Sequence, residues 1–386
     1  MTTAVDQSMR EAVRTGIFPS AELVVAKKGV LAHHHFYGDA RTGTMYDIAS
    51  LTKPLATATL IMLLTNEGRL DPAHTLGEFF PTIDEAKKRI TIFDLMNHKS
   101  GLPAWRPYYR ELPSALVGTP EGRRHIVDAC LNEPLEHAPG ETTLYSDLGY
   151  IILGEIIEKA GDAPLDRLFA QRIAAPLALT DTFFVHNKGD DIRTTSRRTD
   201  TTAAQHVPVR TPALHNKTTG SQQRRFAATE DCPWRGRVIH GEVHDQNTYA
   251  MGGVAGPAGL FSTGDNIHLF ITAFMRGFAG NEGLVPRATL ERFFPLEGAL
   301  ITPPSPGTHV GGWDTPSTER SAAGHYASRN SIGHLAYTGC SIWIDQKQDF
   351  WVILLTNRIH PSTTNEKIKA FRPHIHDVIY KEIITG

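Results

Sequence analysis

The hydrophobic pattern places strands near both ends of the 386-residue chain and helices between them. VDQSMREAVRTG (5–16) has helical spacing, and two strand-like runs follow, SAELVVAKKG (20–29) and VLAHHHFYGDA (30–40). Strand patterns return in LAYTGCSIWID (335–345) and DFWVILLTNR (349–358), and an amphipathic helical pattern ends the chain. The economical arrangement is one antiparallel sheet built from both ends of the chain, flanked by the terminal helices, with a helical lobe inserted.

These elements predict a mixed α/β fold of the α+β type with two regions. We expect a discontinuous sheet domain from residues 1–66 and 240–386, and a mostly helical domain from residues 67–239. Residues 188–235 are polar and rich in Thr, Arg and Pro, which indicates a long surface excursion within the helical domain. A pocket would then lie between the two regions, where ligand sites commonly occur.

Composition and charge narrow the function mainly by exclusion. The apolar content of 40% and charged content of 21% are typical of a soluble globular protein. A net charge of -2 gives no electrostatic reason to expect binding to nucleic acid or to an anionic membrane. The longest apolar stretches are roughly half the length of a membrane span, and no apolar signal segment opens the chain. We therefore expect a cytoplasmic protein without a membrane span, and the sequence gives no indication of its oligomeric state.

The histidine and cysteine patterns do not predict a metal site. The triplet His33-His34-His35 lies inside a predicted strand, where adjacent side chains point to opposite faces, so we expect packed or solvated imidazoles. HGEVH (240–244) is not H-E-x-x-H, and we expect His374 and His376 on the surface of the last helix. The cysteines are odd in number, far apart and form no C-x-x-C: Cys130, Cys232 and Cys340.

ASLTKP (49–54) places a serine and a lysine before residues 55–64, a run of only Leu, Ile, Met, Ala and Thr. Such a run predicts a helix that is buried on all sides. Ser50 and Lys53 would share one face of the helix start, where unpaired N–H groups and the positive end of the dipole favour an oxyanion. A desolvated lysine can help to take the proton of a serine. We interpret Ser50 as a nucleophile and Lys53 as its proton partner; the alternative is a capping serine beside a snorkelling lysine.

Two further segments carry groups suited to acyl transfer. Tyr145-Ser146-Asp147 precedes a helical pattern, and a tyrosine near a cation can titrate below its usual value of about 10 and act as a base. The alternative is that Asp147 is an N-cap with Tyr145 packed on the helix. IGHLAYTGCSIWID (332–345) is a glycine-flanked strand with His334 near its start. Such glycines often mark the close approach of a ligand or of another backbone, and an edge strand there can lend an N–H to an oxyanion.

Together the three segments resemble the class C β-lactamase-like serine hydrolases, which include penicillin-binding-protein-type peptidases, carboxylesterases and some amidases and acyltransferases. The S-x-x-K of that family corresponds to Ser50 and Lys53, its Y-x-N to Tyr145-Ser146-Asp147, and its K-T-G or H-T-G to His334-Leu335-Ala336. LMNHKSGLPAW, GGVAGPAGLFST and LLTNRIHP are also similar, and the resemblance covers roughly residues 15–380. It implies a β-lactamase/transpeptidase-like fold.

The resemblance also implies roles for individual residues. Ser50 would become acylated, Lys53 and Tyr145 would share its proton, and Tyr145 would return a proton to the leaving group. The oxyanion hole would be formed by the backbone N–H groups of Ser50 and Tyr337. The implied partner is a small-molecule acyl substrate, and neither a metal nor an organic cofactor is implied.

Two departures from the family pattern bear on the substrate. Asp147 replaces the asparagine of the family; if it faces Lys53, it should hold the lysine as an ammonium and raise its pKa, which shifts the role of base to Tyr145. Leu335 and Ala336 replace the Thr-Gly pair, and leucine cannot hydrogen-bond a substrate carboxylate, a loss of about 1.5–3 kcal/mol. His334 matches the histidine-bearing members of the family. Tyr337 follows these residues and keeps its implied oxyanion role.

We therefore expect a serine hydrolase of the carboxylesterase-like kind, acting as an esterase or amidase on small neutral acyl substrates. Alternatives of the same fold are a β-lactamase or a D-Ala-D-Ala carboxypeptidase, for which export would be expected, and a transacylase that differs only in the final acceptor. The alternative from another class is a catalytically inactive relative that serves as a binding or scaffold protein.

Overall fold

The computed structural model of the protein describes residues 3–187 and 224–385. In chain order the described strands are β1 (Ser20–Lys27), β2 (Val30–Gly38), β3 (Thr44–Asp47), β4 (Phe183–Phe184), β5 (Arg225–Phe226), β6 (Asp231–Cys232), β7 (Arg237–Val238), β8 (Leu260–Ser262), β9 (Leu296–Glu297), β10 (Leu300–Ile301), β11 (His309–Val310), β12 (Trp313–Asp314), β13 (Ser331–Leu335), β14 (Ser341–Asp345) and β15 (Phe350–Thr356). The α-helices are α1 (Ala4–Arg14), α2 (Thr59–Asn66), α3 (Leu76–Phe79), α4 (Ile92–Met96), α5 (Pro120–Asn132), α6 (Asp147–Gly161), α7 (Leu165–Phe169), α8 (Gln246–Ala250), α9 (Gly264–Phe278), α10 (Arg287–Leu290) and α11 (Ile368–Ile379). None of the described helices has both the length and the apolar character needed to cross a membrane.

The main sheet has seven strands in the order β11-β12-β13-β14-β15-β1-β2. β1 pairs antiparallel with β15 on one side and with β2 on the other, so both ends of the chain build one sheet, as predicted. Alternate residues of β1 face different layers. Leu23 and Val25 pack with α1 and α11, whereas Val24 and Ala26 join the larger core that contains α9. Because both faces of the sheet are covered, β1 is almost entirely buried.

The predicted buried helix after Ser50 consists of three kinds of helical turn. A 3₁₀ turn (Ala49–Leu51) and a π-helical turn (Lys53–Ala58) lead into α2. The Thr59 hydroxyl donates a hydrogen bond to the Pro54 carbonyl (2.8 Å), which accompanies the wider π turn. Every residue of the π turn is buried, in agreement with the prediction of a helix that is apolar on all sides.

The larger core connects the main sheet with helices from both predicted regions. Leu60 of α2, Ile152 of α6, Phe270 of α9 and Ile353 of β15 belong to a single continuous cluster. This cluster contains residues of both predicted regions, 1–66 with 240–386 and 67–239, so it does not separate one region from the other. The division into two domains stays a prediction. The fold itself is the predicted one, an antiparallel sheet with helices on both faces.

A small second sheet has the strand order β4-β8-β3-β5. Most of the predicted excursion at residues 188–235 lies outside the described residues, but residues 224–235 belong to the fold. Phe226 of β5 pairs in parallel with Met45 of β3 and packs with Phe261 of β8. The sequence analysis did not predict β5, because a two-residue strand has too short a hydrophobic pattern to be recognised. The surface excursion at residues 188–235 stays a prediction.

The last helix also differs from expectation at one position. His374 is exposed as predicted, but His376 is buried, 6% exposed. His376 and Arg372 are one turn apart on α11, and Arg372 faces inward, where it donates hydrogen bonds to the carbonyls of Ala336 (3.0 Å) and Cys340 (2.9 Å). The expectation of a surface position for His376 was therefore wrong, because this polar face of α11 packs against the end of the sheet.

Candidate active site

Ser50 lies in a tight turn that follows β3. Ala49, immediately before it, has a positive φ of 44°, a conformation that costs an L-residue roughly 1–2 kcal/mol. The carboxylate of Asp47 supports this turn, since its Oδ1 accepts a hydrogen bond from the Ala49 N–H (2.8 Å). The arrangement places Ser50 on the wall of a cavity, directly before the buried π turn that carries Lys53.

Lys53 is completely buried, and its ammonium meets three groups. Its Nζ donates hydrogen bonds to Ser50 Oγ (3.1 Å) and to the Pro257 carbonyl (3.2 Å), and lies 2.7 Å from Asp147 Oδ1. Burial alone would lower the pKa of Lys53, but the Asp147 carboxylate and Tyr145 raise it above its usual value. Asp147 thus faces Lys53. The sequence analysis predicted that in this case Lys53 would be held as an ammonium.

Tyr145 completes the group around the serine. The Lys53 ammonium lies 5.0 Å from the centroid of its ring, and its hydroxyl interacts with both Lys53 and Ser50. Burial raises the pKa of Tyr145, and the opposing effect of Lys53 does not offset it, so the side chain is a phenol at neutral pH. Helix α6 begins at Asp147, and its N-cap is Ser146, whose hydroxyl accepts from the Gly149 N–H (3.3 Å). The alternative with Asp147 as the N-cap was therefore wrong.

Three imidazoles surround Tyr145, two of them buried (His98 and His334) and one half-buried (His309), and the sequence predicted only one of the three. Ring centroids of His98, His309 and His334 lie 4.3, 5.9 and 6.1 Å from that of Tyr145. Burial, followed by the charge of Lys53, lowers the pKa of His309 to about 4. Burial also holds the pKa values of His98 and His334 well below their usual range, so all three are neutral at pH 7. His98 lies in the segment LMNHKSGLPAW and His309 beside a Gly-Gly pair, and no spacing in the sequence connects either residue to Tyr145.

The segment after β13 supplies the opposite wall of the site. His334 Nδ1 donates to the Leu335 carbonyl (2.9 Å), so the lone pair of this neutral imidazole lies on Nε2. The Ala336 N–H donates to the Cys340 carbonyl (2.8 Å) and closes a turn in which Tyr337 is half-exposed. Within the described residues, the backbone N–H groups of Ser50 and Tyr337 donate to no protein acceptor. Both are therefore available to a ligand.

Asp47 connects the two walls, and the sequence analysis missed it. Its backbone carbonyl accepts a hydrogen bond from the Thr338 hydroxyl (2.8 Å), and its Oδ2 accepts from the His244 N–H (2.6 Å). The His244 ring stacks on Tyr337, with centroids 5.5 Å apart, and its Nε2 lies 3.0 Å from Glu230 Oε2. HGEVH therefore contributes to the site through packing. One buried carboxylate fixes both the turn before Ser50 and the neighbours of Tyr337.

A cavity of about 680 Å³ brings most of the predicted residues together. Lys53 lies behind Ser50 and does not reach the cavity surface. The predicted residues that line the cavity are Ser50, Tyr145, Asp147, His334, Leu335, Ala336 and Tyr337. Trp105 and Tyr109 add aromatic surface, and Arg358 and Arg372 lie at the Tyr337 end. A cavity of this volume accommodates a small acyl substrate.

Fold and site together define a serine hydrolase of the β-lactamase and penicillin-binding-protein type. The chain belongs to the Beta-lactamase family, whose sequence model matches residues 5–373. The match includes all three segments on which the resemblance was based, and the fold and family expected from the sequence are confirmed.

Named relatives differ in the bonds they are said to cleave. The chain is 29% identical to the Escherichia coli (strain K12) protein named "Putative D-alanyl-D-alanine carboxypeptidase", over 92% of this chain and 82% of that protein. It is 28% identical to the Bacillus subtilis (strain 168) N-acetylmuramyl-L-alanine amidase, over 92% and 80%. The solved structure of EstCE1, described as a hydrolase with promiscuous acyltransferase activity, has a TM-score of 0.63 at 19% identity and covers 97% of both chains. This last similarity shows the shared fold alone.

Proposed function

We propose that the protein hydrolyses small neutral esters or amides through an acyl-enzyme on Ser50. The observation that carries this proposal is the contact of Lys53 Nζ with Ser50 Oγ (3.1 Å), with the Tyr145 hydroxyl interacting with both side chains. A serine hydroxyl becomes an effective nucleophile when a neighbour takes its proton. Ser50 and Tyr145 line the cavity and Lys53 lies behind Ser50, so the three side chains together would provide the nucleophile and the groups that move its proton.

In the proposed reaction Ser50 Oγ attacks the substrate carbonyl carbon, and its proton passes to Tyr145. The tetrahedral oxyanion would accept hydrogen bonds from the N–H groups of Ser50 and Tyr337, each such donor contributing about 3–4 kcal/mol to transition-state stabilisation. Tyr145 then gives its proton to the leaving alcohol or amine as the carbonyl carbon–heteroatom bond breaks. Water attacks the acyl-enzyme by the reverse route and regenerates Ser50.

Asp147 makes Tyr145 the better candidate for the base. An ammonium at Lys53 cannot accept a proton, and the ion pair with Asp147 stabilises that ammonium. Its positive charge in turn stabilises a phenolate at Tyr145, whose ring centroid lies 5.0 Å from Lys53 Nζ. The active form is then the small fraction of molecules with ionised Tyr145, so activity should rise with pH through the neutral range.

The preference for neutral substrates rests on the third segment. Leu335 and Ala336 line the cavity where a threonine hydroxyl and a glycine would be expected from the family pattern. A leucine side chain offers no hydrogen bond to a substrate carboxylate, so an anionic substrate loses about 1.5–3 kcal/mol there. The Ala336 methyl group also occupies space that a glycine would leave open.

A D-Ala-D-Ala carboxypeptidase is the second candidate. The name of the Escherichia coli relative favours it, and Arg358 and Arg372 place positive charge on the cavity wall. Both guanidinium groups, however, already donate to backbone carbonyls: Arg358 to Tyr337 (2.9 Å) and Arg372 to Ala336 (3.0 Å). The two arginines therefore support the segment that follows β13. Because their guanidinium groups are engaged there, they are weaker candidates for binding a substrate carboxylate.

Parallel steady-state assays test the proposal. A p-nitrophenyl acyl ester, a chromogenic cephalosporin and a peptide ending in D-Ala-D-Ala would be supplied to the same preparation. We expect the ester to have the highest kcat/KM, with Ser50→Ala removing the activity. Higher kcat/KM for the cephalosporin, or release of D-Ala at a higher kcat/KM than ester hydrolysis, would overturn the preference for neutral substrates.

A further inference from the structure

A second group of ionisable side chains lies on the opposite face of the main sheet, next to α1. His33 and His35 are two residues apart on β2 and therefore point to the same side of the strand. Their rings stack with centroids 4.5 Å apart, and Asp6 Oδ1 of α1 lies 3.9 Å from His35 Nδ1. One potential ligand atom from each of the three residues lies within 4.8 Å of the other two.

We propose that Asp6, His33 and His35 form a binding site for a divalent transition metal ion of the zinc type. Two imidazoles and one carboxylate are a ligand set that Zn²⁺ favours, with water completing a tetrahedral shell. The ligand atoms need to approach one another by about an ångström to reach tetrahedral geometry. His35 can supply that movement, because its side chain is 54% exposed.

The Tyr37 hydroxyl holds Asp6 and His33 in position. It donates to Asp6 Oδ1 (2.6 Å) and lies 2.9 Å from His33 Nε2. Because the hydroxyl proton is directed at Asp6, the tyrosine oxygen accepts from His33 Nε2–H, and the lone pair of His33 lies on Nδ1. Hydrogen bonds of this kind fix the tautomer and orientation of metal-binding imidazoles.

The bound ion would connect α1 to the edge strand β2. The start of α1 is already held by Glu382, whose Oε2 accepts from the Val5 N–H (2.8 Å) and adds negative charge near His33. A ligand that binds only the folded chain stabilises it in proportion to the logarithm of its concentration. The role we infer is structural, fastening the N-terminal helix, and it is independent of the proposed hydrolase activity.

The histidine triplet contains its own control. His34 points to the other face of β2, where its Nε2 lies 2.8 Å from Glu22 Oε1 and its Nδ1 3.5 Å from Asp265 Oδ1. A His34→Gln variant removes one imidazole from the triplet and leaves Asp6, His33 and His35 in place. His35→Gln is the matched test variant, since His35 is exposed and its loss should leave the fold intact.

Titration of the tag-free, metal-stripped chain with Zn²⁺, and with Co²⁺ to detect a tetrahedral site by its visible absorption, tests the proposal. We expect one Zn²⁺ per chain in the wild type and in His34→Gln, with affinity at least about tenfold weaker in His35→Gln and Asp6→Asn. Zn²⁺ should also raise the melting temperature of the wild type more than that of His35→Gln. Absence of saturable binding, or equal binding in the wild type, His35→Gln and Asp6→Asn, would overturn the proposal.

Discussion

Lys53 and Asp147 form an ion pair with 2.7 Å between Nζ and Oδ1, directly behind Ser50. The lysine is fully buried and the aspartate side chain is 25% exposed, so water screens this pair weakly. The pair holds Lys53 in the protonated form and distinguishes this site from one with asparagine at position 147. The pH dependence of the reaction should report on it directly.

Replacing Asp147 by asparagine should move the acidic limb of the pH–rate profile to lower pH. Asp147 raises the pKa of Lys53, and it also opposes ionisation of Tyr145. Loss of its charge lowers both pKa values, so a basic form of the site becomes available at lower pH, by about one unit or more. The measurement is kcat/KM for a p-nitrophenyl ester as a function of pH.

Asp245→Asn is the matched control for this change. Asp245 lines the same cavity, and its Oδ1 accepts from the Thr248 N–H (2.7 Å), a capping role that asparagine can retain. It has no ion pair with Lys53 among the described residues. We expect a smaller shift than in Asp147→Asn. If a folded Asp147→Asn variant had the same pH–rate profile as the wild type, the ion pair would not set the pKa of the catalytic base.

Asp47→Asn should lower kcat with little effect on KM. An asparagine side chain has one acceptor oxygen, so it cannot accept from both the Ala49 N–H and the His244 N–H as the carboxylate does. The turn before Ser50 and the neighbours of Tyr337 should shift relative to each other, and such misplacement costs up to about a hundredfold in rate. Kinetic constants, measured beside the exposed-site control Asp39→Asn, provide the test. An unchanged kcat with a raised KM would mean that Asp47 acts on substrate binding instead.

His309→Gln should make the protein less sensitive to acid. Burial and Lys53 lower the pKa of His309 from 6.5 to about 4 in the folded chain. Between these values the unfolded chain binds more protons, so the free energy of unfolding falls as pH falls, and part of that loss comes from His309. Removing this imidazole should reduce the slope by about 1 kcal/mol per pH unit.

Denaturant unfolding at a series of pH values between 4 and 6.5 measures this slope. His137→Gln, which removes an exposed imidazole, is the control and should retain the wild-type slope. If His309→Gln and the wild type had the same slope, protonation of His309 would not be coupled to unfolding.

Restoring the family residues at positions 335 and 336 should favour anionic substrates. A Leu335→Thr/Ala336→Gly variant gains a hydroxyl for a substrate carboxylate, about 1.5–3 kcal/mol or roughly ten- to a hundredfold in acylation by a penicillin. Turnover of a neutral ester should change far less. Leu335→Val/Ala336→Gly has the same shape without the hydroxyl and serves as the control. Equal gains in the two variants would show that steric relief, and not the hydroxyl, limits the wild type.

The fold could be predicted because its strands and helices have long, regular hydrophobic patterns. β1 and β15 have strand-like hydrophobic patterns and α11 has an amphipathic helical pattern, and these patterns predict the sheet and its flanking helices. Short elements escaped, because β5 at Arg225–Phe226 is two residues long and has no periodicity to detect. The burial of His376 depends on what packs against α11, which periodicity alone does not specify.

The candidate site was predictable where its residues are close in sequence. Ser50 and Lys53 are three residues apart, and Tyr145 is marked by the helix start that follows it. His309 was missed because tertiary packing alone brings it to the site. Asp47 is only three residues before Ser50, but its contacts with the Thr338 hydroxyl and the His244 N–H are tertiary, and the sequence does not specify them. The Asp147 contact was predicted conditionally, from the chemistry of a carboxylate beside a buried lysine.

The central claim, that Ser50 is the nucleophile, is tested most directly by intact-protein mass spectrometry after treatment with a fluorophosphonate. The reagent forms a stable adduct with an activated serine, and the mass increase counts the residues modified. We predict one adduct per chain in the wild type and none in Ser50→Ala. An unmodified wild type, or an adduct that persists in Ser50→Ala, would contradict the account.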